Sequence, residues 1–481
     1  MNDSGKKGGF SLLHRFTGLW LIYAGWSATA GWFLSAFGVL GAGGYGIAFL
    51  ILCALSATWW VTSAPARRAR VISYWRLRNP AFLAWVIVAV VALIGGVLHA
   101  PTNYDALTYR LPRVMYWLQE GQWFWLGALN VRMDIAGTGV EWMSAPLLLI
   151  PGGSRALFLL NYVPFLLLPG LFFSTAVSLG IRPRHARWWM WLFPLAYGFA
   201  LQAGGIGNDM IGAALGLAAA SFALKAPSHR PVLCLFLSAL AIAVLSGIKV
   251  TTFPACLPLA GLWAFMAFRT WGLSRTILNA FAFGLVLIPV SLLPCLFLNW
   301  KYSGSLTGNP DNIYDLQVHA PAAGLAGNSL QLFLSSIQPP LLPLASRLND
   351  PLQAWTDSSP RMAWIKQNYN GFSLSFGKEI PGEEGAGLGI GVSLLLLFWL
   401  LLGKPHRTAL RCLPSPALLV SASMLTLFIV LMATAAGNSA PRFFLPLAPF
   451  AVLGVLSLTN HFSHPLSRQK WLVPLILALL V

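Results

Sequence analysis

Apolar runs of about twenty residues recur along this chain from one end to the other. A helix of that length crosses the ~30 Å hydrocarbon layer of a membrane. Charged residues make up only 9% of the 481 residues, whereas soluble domains carry about a quarter. A water-soluble fold would therefore lack the polar surface to cover itself. We expect an all-α polytopic membrane protein, because helices satisfy their own backbone hydrogen bonds in lipid.

The apolar runs predict about thirteen spans, of which the last is short, in a bundle of about 11–13 transmembrane helices. The spans lie at roughly 19–40, 44–63, 81–99, 156–179, 188–204, 209–224, 231–248, 252–268, 277–299, 387–403, 415–433, 443–460 and 471–481. The spans divide the chain into four parts. These are an N-terminal hairpin with a basic loop (1–79), a core containing the first outer segment (80–299, with 100–155), a large outer loop (300–386) and C-terminal helices (387–481).

The net charge of +18 follows the same topology. With the N-terminus inside, 20 of the 31 Lys and Arg residues lie on the inner side, with Asp3 as the one acid there. This is the distribution of the positive-inside rule, so the N-terminus is expected to be cytoplasmic. The basic excess orients the protein and contacts anionic lipid headgroups, and we expect no nucleic-acid partner.

The segment from 100 to 155 is amphipathic and rich in aromatic residues, which predicts helices lying in the outer membrane interface. Four tryptophans of this segment suit that depth. They are Trp117, Trp123, Trp125 and Trp142.

Three polar residues near the start of this segment share one face at helical spacing: Asp105, Tyr109 and Arg113. The carboxylate could act as a general base or hold a cation, and the guanidinium could bind a phosphate. The alternative is an ion pair that only anchors an interfacial helix. Pro112 is expected to bend or delay the helix and so make the alignment approximate.

The string YDALTYRLPRVMYWLQ at 104–119 resembles the first-loop motif of bacterial GT-C glycosyltransferases related to the protein O-mannosyltransferase and lipid A aminoarabinose transferase families. Five later segments resemble motifs of the same group in the same order: VEWMSAPLLLIPGG, GIGNDMIGAAL, LSGIKVTTFPACLPL, EEGAGLGIG and SAPRFFLPLAPF. The resemblance runs from about residue 80 to 460. Two departures are Arg110, where relatives often carry His, and Leu388-Gly389, where Asn-Pro is expected.

The resemblance implies a transferase that moves a sugar from a polyprenyl-phosphate carrier to an acceptor hydroxyl of a lipid, glycan or protein. The active site would face the periplasm from the bacterial inner membrane. The catalytic role maps onto Asp105, which would accept the proton of the acceptor hydroxyl. The residues implied in substrate or phosphate binding are Tyr109, Arg110, Arg113, Glu141, Asp209, Lys249 and Arg442.

Four of these residues also have a purely structural interpretation. Lys249 lies at membrane depth, where it is either functional or extended toward the outer interface. Arg442 is a phosphate ligand or an interfacial anchor. Asp209 suits a helix N-terminus, and Glu141 lines a cavity or caps an interfacial helix.

Two other functions stay open on the sequence. An O-antigen ligase or polysaccharide polymerase, which uses a diphosphate-linked glycan, would carry its arginines chiefly in the large outer loop. A lipid or solute transporter would show charges buried in mid-span and repeated halves. No Walker motif, Rossmann glycine pattern or zinc spacing occurs. No metal site is therefore indicated, although a divalent cation stays an open alternative as cofactor.

Overall fold

The computed structural model describes residues 10–64, 79–308, 318–338, 345–376, 382–402, 416–434 and 440–459. The predicted span at 471–481, the basic run from Arg67 to Arg78 and parts of the large outer loop lie outside the described residues. Within them the secondary structure is helical, and one isolated bridge joins Val318 to Tyr369. The prediction of an all-α chain is thus confirmed for the described part.

The helices α1 to α21 follow the chain in order. The first fourteen are α1 (Leu12–Ala36), α2 (Ala42–Thr62), α3 (Pro80–Leu98), α4 (Leu111–Glu120), α5 (Arg132–Ile135), α6 (Gly139–Leu148), α7 (Leu159–Ser178), α8 (Pro183–Leu192), α9 (Tyr197–Gln202), α10 (Asn208–Lys225), α11 (Pro231–Ile248), α12 (Phe253–Trp271), α13 (Leu273–Val286) and α14 (Leu293–Ser303). The others are α15 (Pro321–Ser336), α16 (Ala345–Ser358), α17 (Pro360–Asn368), α18 (Gly389–Leu402), α19 (Pro416–Thr434), α20 (Ala440–Phe444) and α21 (Ala448–Leu458).

Five helical segments in the described part are long and apolar enough to cross a membrane. They are Ala42–Thr62, Pro80–Leu98, Gly153–Ser178, Pro231–Ile248 and Val250–Trp271. Four shorter apolar helices, of 10–17 residues, accompany them. These segments support a helical membrane protein, while the number of 11–13 spans and their orientation stay predictions.

Three predicted spans are interrupted, and each contains a proline at the interruption. The span at 188–204 consists of α8, a 3₁₀ turn with Pro194, and α9. The span at 277–299 consists of α13, a 3₁₀ turn with Pro289, and α14. The span at 443–460 has a turn containing Pro446 between α20 and α21. Proline lacks the N–H that would continue the helical hydrogen bonds, so the prediction of continuous helices there was wrong.

The described residues form two compact units. The first contains residues 10–64, 93–178 and 204–308, and α10 lies at its centre. Almost every residue of α10 is buried, because α7, α11 and α12 pack around it. Its sequence, NDMIGAALGLAAASFALK, is rich in glycine and alanine, whose small side chains let neighbouring helices approach closely.

Helix α1 also belongs to this first unit, where it packs against α6, α7 and α11. The hydroxyl of Tyr23 donates a hydrogen bond of 2.7 Å to the carbonyl oxygen of Met143 in α6. Trp32 packs against Trp142 of α6 with ring centroids 4.9 Å apart. Helix α1 therefore stabilises the outer segment (100–155) through contacts with α6.

Two of the four tryptophans expected at the depth of the membrane interface are buried inside the protein. Trp117 and Trp142 are fully buried and pack against each other at 5.1 Å between ring centroids. Trp123 and Trp125 are half-buried and lie beside Tyr302, at 6.0 Å and 5.2 Å. Trp117 and Trp142 thus form a packed contact between α4 and α6.

The second unit contains residues 79–92, 179–203 and the described residues after 317. In it, α15 packs against α17, α19 and α20. Tyr369 is buried in an apolar cluster, and its hydroxyl donates to the side-chain oxygen of Asn328 at 2.8 Å. The amide of Asn328 donates in turn to the carbonyl of Met432 in α19. The described part of the predicted large outer loop thus contains α15, α16 and α17.

Candidate functional site

The site begins at a π-helical turn, Ala106–Arg110, directly after Asp105. The N–H of Leu111 closes this turn on the carbonyl of Ala106, five residues back. The wider turn brings side chains five apart onto one face, so Nη2 of Arg110 lies 3.5 Å from Oδ2 of Asp105. The other carboxylate oxygen, Oδ1, lies 3.8 Å from Nη1 of Arg132. Single π-helical turns of this kind are frequent at functional sites.

This turn explains why the expected unit of Asp105 with Arg113 was wrong. That expectation assumed regular α-helical spacing, whereas the π turn places Arg110 beside Asp105. Pro112 follows at the start of α4 and has no N–H to offer the carbonyl of Thr108. The side-chain amide of Asn130 donates to that carbonyl at 3.3 Å and so ties the later part of the outer segment to the turn.

Arg113 forms a separate ion pair with Glu141 inside the outer segment. Its side chain is 0% exposed, and Nη2 lies 2.7 Å from Oε1 of Glu141. Its guanidinium also donates to the carbonyls of Ala136, at 3.0 Å, and Gly137. Arg113 thereby fixes the loop between α5 and α6 to α4. These contacts give it a structural role, and the phosphate contact implied from the sequence stays a prediction.

The same loop packs directly on the C-terminal end of α11. A Cβ atom on Gly137 would stand 2.6 Å from the carbonyl oxygen of Gly247, closer than side chains approach. A Cβ on Gly139 would stand 3.0 Å from the side chain of Ile248 and 3.1 Å from the backbone of Gly247. Only glycine allows this approach, which brings Glu141 at the start of α6 near the end of α11.

Lys249 directly follows α11 and has an extended backbone conformation. Its side chain pairs with Asp209 near the start of α10. Its Nζ lies 2.9 Å from Oδ1 of Asp209, which is fully buried, while the lysine side chain is 18% exposed. Lys249 is thus paired with a buried acid, and its depth in the membrane stays a prediction. Asn208, the first residue of α10, donates through Nδ2 to the carbonyl of Ile248 at 3.3 Å.

These elements enclose a cavity of about 220 Å³ in the first unit. Its charged lining consists of Arg110, Arg132, Lys249 and Glu141. The remaining lining residues are Tyr109, Ile135, Ala136, Gly137, Asn208, Ile248, Val250, Thr251 and Thr307. Asp105 is not part of this lining but contacts two of its residues, Arg110 and Arg132. Asp209 likewise contacts the lining residue Lys249.

The charges around the cavity are almost balanced. Four cations (Arg110, Arg113, Arg132 and Lys249) stand against three carboxylates (Asp105, Glu141 and Asp209). Counting these seven groups as ionised leaves one positive charge. Three of the four cations face the cavity, whereas two of the three carboxylates do not. The cavity surface is therefore suited to an anion.

Two further groups of the outer segment show perturbed ionisation. Burial raises the pKa of the Tyr109 hydroxyl above its ordinary value, and the nearby Arg110 only partly offsets this. Tyr109 is therefore a neutral hydroxyl at physiological pH. Burial also raises the pKa of Asp134, although the N–H groups of Leu126 and Ala128 donate to its carboxylate. These hydrogen bonds tie the loop before α5 to Asp134, which lies in that short helix.

Several residues implied from the sequence thus come together, and one new residue joins them. Tyr109, Arg110, Glu141 and Lys249 line the cavity, and Asp105 and Asp209 contact its lining. Arg132 was missed, because nothing in its local sequence marks it and only the fold brings it to Asp105. Arg442 is buried in α20, which belongs to the second unit.

Among the described residues, no three His, Cys, Asp or Glu side chains are grouped so as to hold a metal ion. Comparison with known proteins gives no further assignment. No protein-family model, no curated protein and no solved structure matches this chain.

Proposed function

We propose that this protein is a membrane glycosyltransferase that moves a sugar from a polyprenyl-phosphate carrier to an acceptor hydroxyl. The acceptor is a lipid, glycan or protein hydroxyl at the periplasmic face of a bacterial inner membrane. The motif at 104–119 and the five segments after it support the family, and the apolar helices support a membrane location.

The observation that carries this proposal is the cavity with three cations beside a paired aspartate. Arg110, Arg132 and Lys249 line one small space, and Asp105 lies within 3.5–3.8 Å of the first two. A sugar linked to a lipid phosphate carries one negative charge at the bond that breaks. The three cations that face the cavity complement that anion.

In the proposed reaction, the oxygen of the acceptor hydroxyl attacks the anomeric carbon of the sugar. The bond between that carbon and the phosphate oxygen breaks, and its electron pair stays with the lipid phosphate. The hydroxyl proton passes to the carboxylate of Asp105. Negative charge grows on the phosphate as the bond breaks, and Arg110, Arg132 and Lys249 stabilise it.

For Asp105 to accept a proton, one of its carboxylate oxygens must first lose its contact with a guanidinium group. Both of its carboxylate oxygens lie beside a guanidinium in the structure. Arg132 has a side chain that is 42% exposed and a long 3.8 Å contact, so its guanidinium can turn from Asp105 to the phosphate. In the proposed reaction, that movement brings Oδ1 of Asp105, which lies behind Arg132 in the structure, within reach of the acceptor hydroxyl.

The test is mass spectrometry of lipids retained by gently purified protein, comparing the wild type with Asp105→Asn. We expect a polyprenyl monophosphate carrying one sugar, kept or enriched in the variant because transfer stops while binding persists. Asp350→Asn, which changes an exposed aspartate of the second unit, is the matched control and should behave as the wild type. A diphosphate-linked oligosaccharide would replace the proposal with a ligase or polymerase, and the absence of polyprenyl lipid in all samples would reject it.

A further inference from the structure

Two buried oxygen atoms of the cavity lining accept no hydrogen bond among the described residues. They are Oε2 of Glu141 and Oδ1 of Asn208. Both residues line the cavity, and both are only 2% exposed. Buried polar atoms in folded proteins are almost always hydrogen-bonded. Both exceptions belong to residues that line one cavity, where the hydroxyl of a bound ligand would supply the missing donor.

The other half of each side chain is held in place. Oε1 of Glu141 is paired with Arg113 at 2.7 Å. Nδ2 of Asn208 donates to the carbonyl of Ile248 at 3.3 Å. Since a carbonyl only accepts, the amide of Asn208 must point its nitrogen at Ile248 and its oxygen away. Both unpartnered oxygens are therefore fixed in position before any ligand binds.

The cavity consequently has two chemically different sides. Arginine and lysine only donate hydrogen bonds, so Arg110, Arg132 and Lys249 suit a phosphate, which only accepts. Glu141 and Asn208 offer acceptors and suit hydroxyl groups, which donate. A sugar attached to a phosphate carries these two kinds of group on adjacent parts of one molecule.

The size of the cavity limits the sugar. Its volume of about 220 Å³ is below the ~300–1,000 Å³ of pockets that enclose drug-sized ligands. A volume of this size suits one sugar ring.

We propose that Glu141 and Asn208 form the sugar-recognition part of this cavity and accept hydrogen bonds from hydroxyl groups of a single monosaccharide. This inference rests on the proposed function and adds to it the residues that distinguish the sugar-bearing lipid from the bare lipid phosphate. It predicts a selective defect, because the cations that hold the phosphate remain in place.

The experiment uses full-length protein purified from its own host and measures two co-purified lipids by native mass spectrometry. These are polyprenyl monophosphate with one sugar and bare polyprenyl monophosphate. In Asn208→Ala we expect the ratio of sugar-bearing to bare lipid to fall at least tenfold, with bare lipid retained as in the wild type. Glu141→Gln should lower the same ratio, and its monodispersity is checked first because it alters the pair with Arg113.

Asn161→Ala is the matched control. Asn161 lies in α7, is fully buried, and its side-chain oxygen and nitrogen also lack partners, but it does not line the cavity. Its variant should keep the wild-type ratio. An unchanged ratio in Asn208→Ala, or an equal fall in Asn161→Ala, overturns the sugar-recognition role while leaving the glycosyltransferase intact. A wild type that retains neither lipid rejects the proposed function itself.

Discussion

The buried pair of Arg113 and Glu141 offers the clearest test of how the outer segment is held together. Replacing Arg113 by methionine preserves much of its apolar bulk but leaves the Glu141 carboxylate buried without its cation. Breaking a fully buried ion pair in this way costs about 3–5 kcal/mol. Here the pair has side chains 0% and 2% exposed and an N–O distance of 2.7 Å, so solvent cannot replace the lost partner.

The loss should be measurable in detergent. A destabilisation of about 3–5 kcal/mol lowers the midpoint of thermal unfolding on the order of 10 °C for a unit of this size. The assay follows the fraction of monodisperse protein after heating, with identical heating rates because unfolding of such proteins is often irreversible. The control is Lys366→Met, which breaks an exposed pair with Asp357 at a similar distance of 2.6 Å. Exposed pairs contribute little, so this variant should melt as the wild type does.

A second variant separates charge burial from packing. In the double variant Arg113→Met with Glu141→Gln, no unpaired charge is left, so part of the lost stability should return. Recovery should be incomplete, because the carbonyls of Ala136 and Gly137 still lack the donors that Arg113 supplied. If Arg113→Met melts within error of Lys366→Met, the loop is not held by this pair and the reasoning is refuted.

Three further predictions concern the cavity. Arg132→Gln should weaken binding of polyprenyl monophosphate about tenfold or more, since a hydrogen bond to a charged group contributes ~1.5–3 kcal/mol. Binding is measured by titration at fixed ionic strength. The control Arg155→Gln, which changes an exposed residue of the same segment, should bind as the wild type does. Lys249→Met should lose both stability and transfer because it strands Asp209, and adding Asp209→Asn should restore the melting temperature without restoring transfer. The pKa of Tyr109 is raised above 10.0 in the folded protein, so its contribution to stability is complete below pH 10 and is lost as pH rises further. The difference in melting temperature between the wild type and Tyr109→Phe should therefore be constant from pH 6 to 9. A change within that range would contradict a neutral hydroxyl.

The apolar pattern of the sequence predicted the helices well where nothing interrupts them. The span at 231–248 coincides with α11, and the span at 81–99 differs from α3 by one residue at each end. The pattern failed at Pro194, Pro289 and Pro446, where the hydropathy of the run continues although the helix does not. Hydropathy reports burial in lipid or protein, whereas helix continuity depends on an unbroken series of backbone donors.

The candidate site could be predicted only one residue at a time. Asp105 and Lys249 were both identified, but the partner of Lys249 is Asp209, 40 residues earlier. A single sequence contains no signal for that pairing. The partner of Asp105 was mistaken because one extra residue in a turn changes which side chain faces it. Arg132 carried no local signal, since an arginine in a polar loop is ordinary on a protein surface.

The arrangement of acids behind cations also explains how this cavity can be both cationic and stable. Without Asp105 and Asp209, three cations around about 220 Å³ would repel one another at low dielectric. The paired acids remove most of that repulsion and leave one positive charge in excess. They also weaken the cavity as an anion site, because a bound phosphate must share its cations with carboxylates. An anion that develops more charge during reaction competes better for those cations, so in the proposed reaction this arrangement would favour the leaving phosphate over the bound donor.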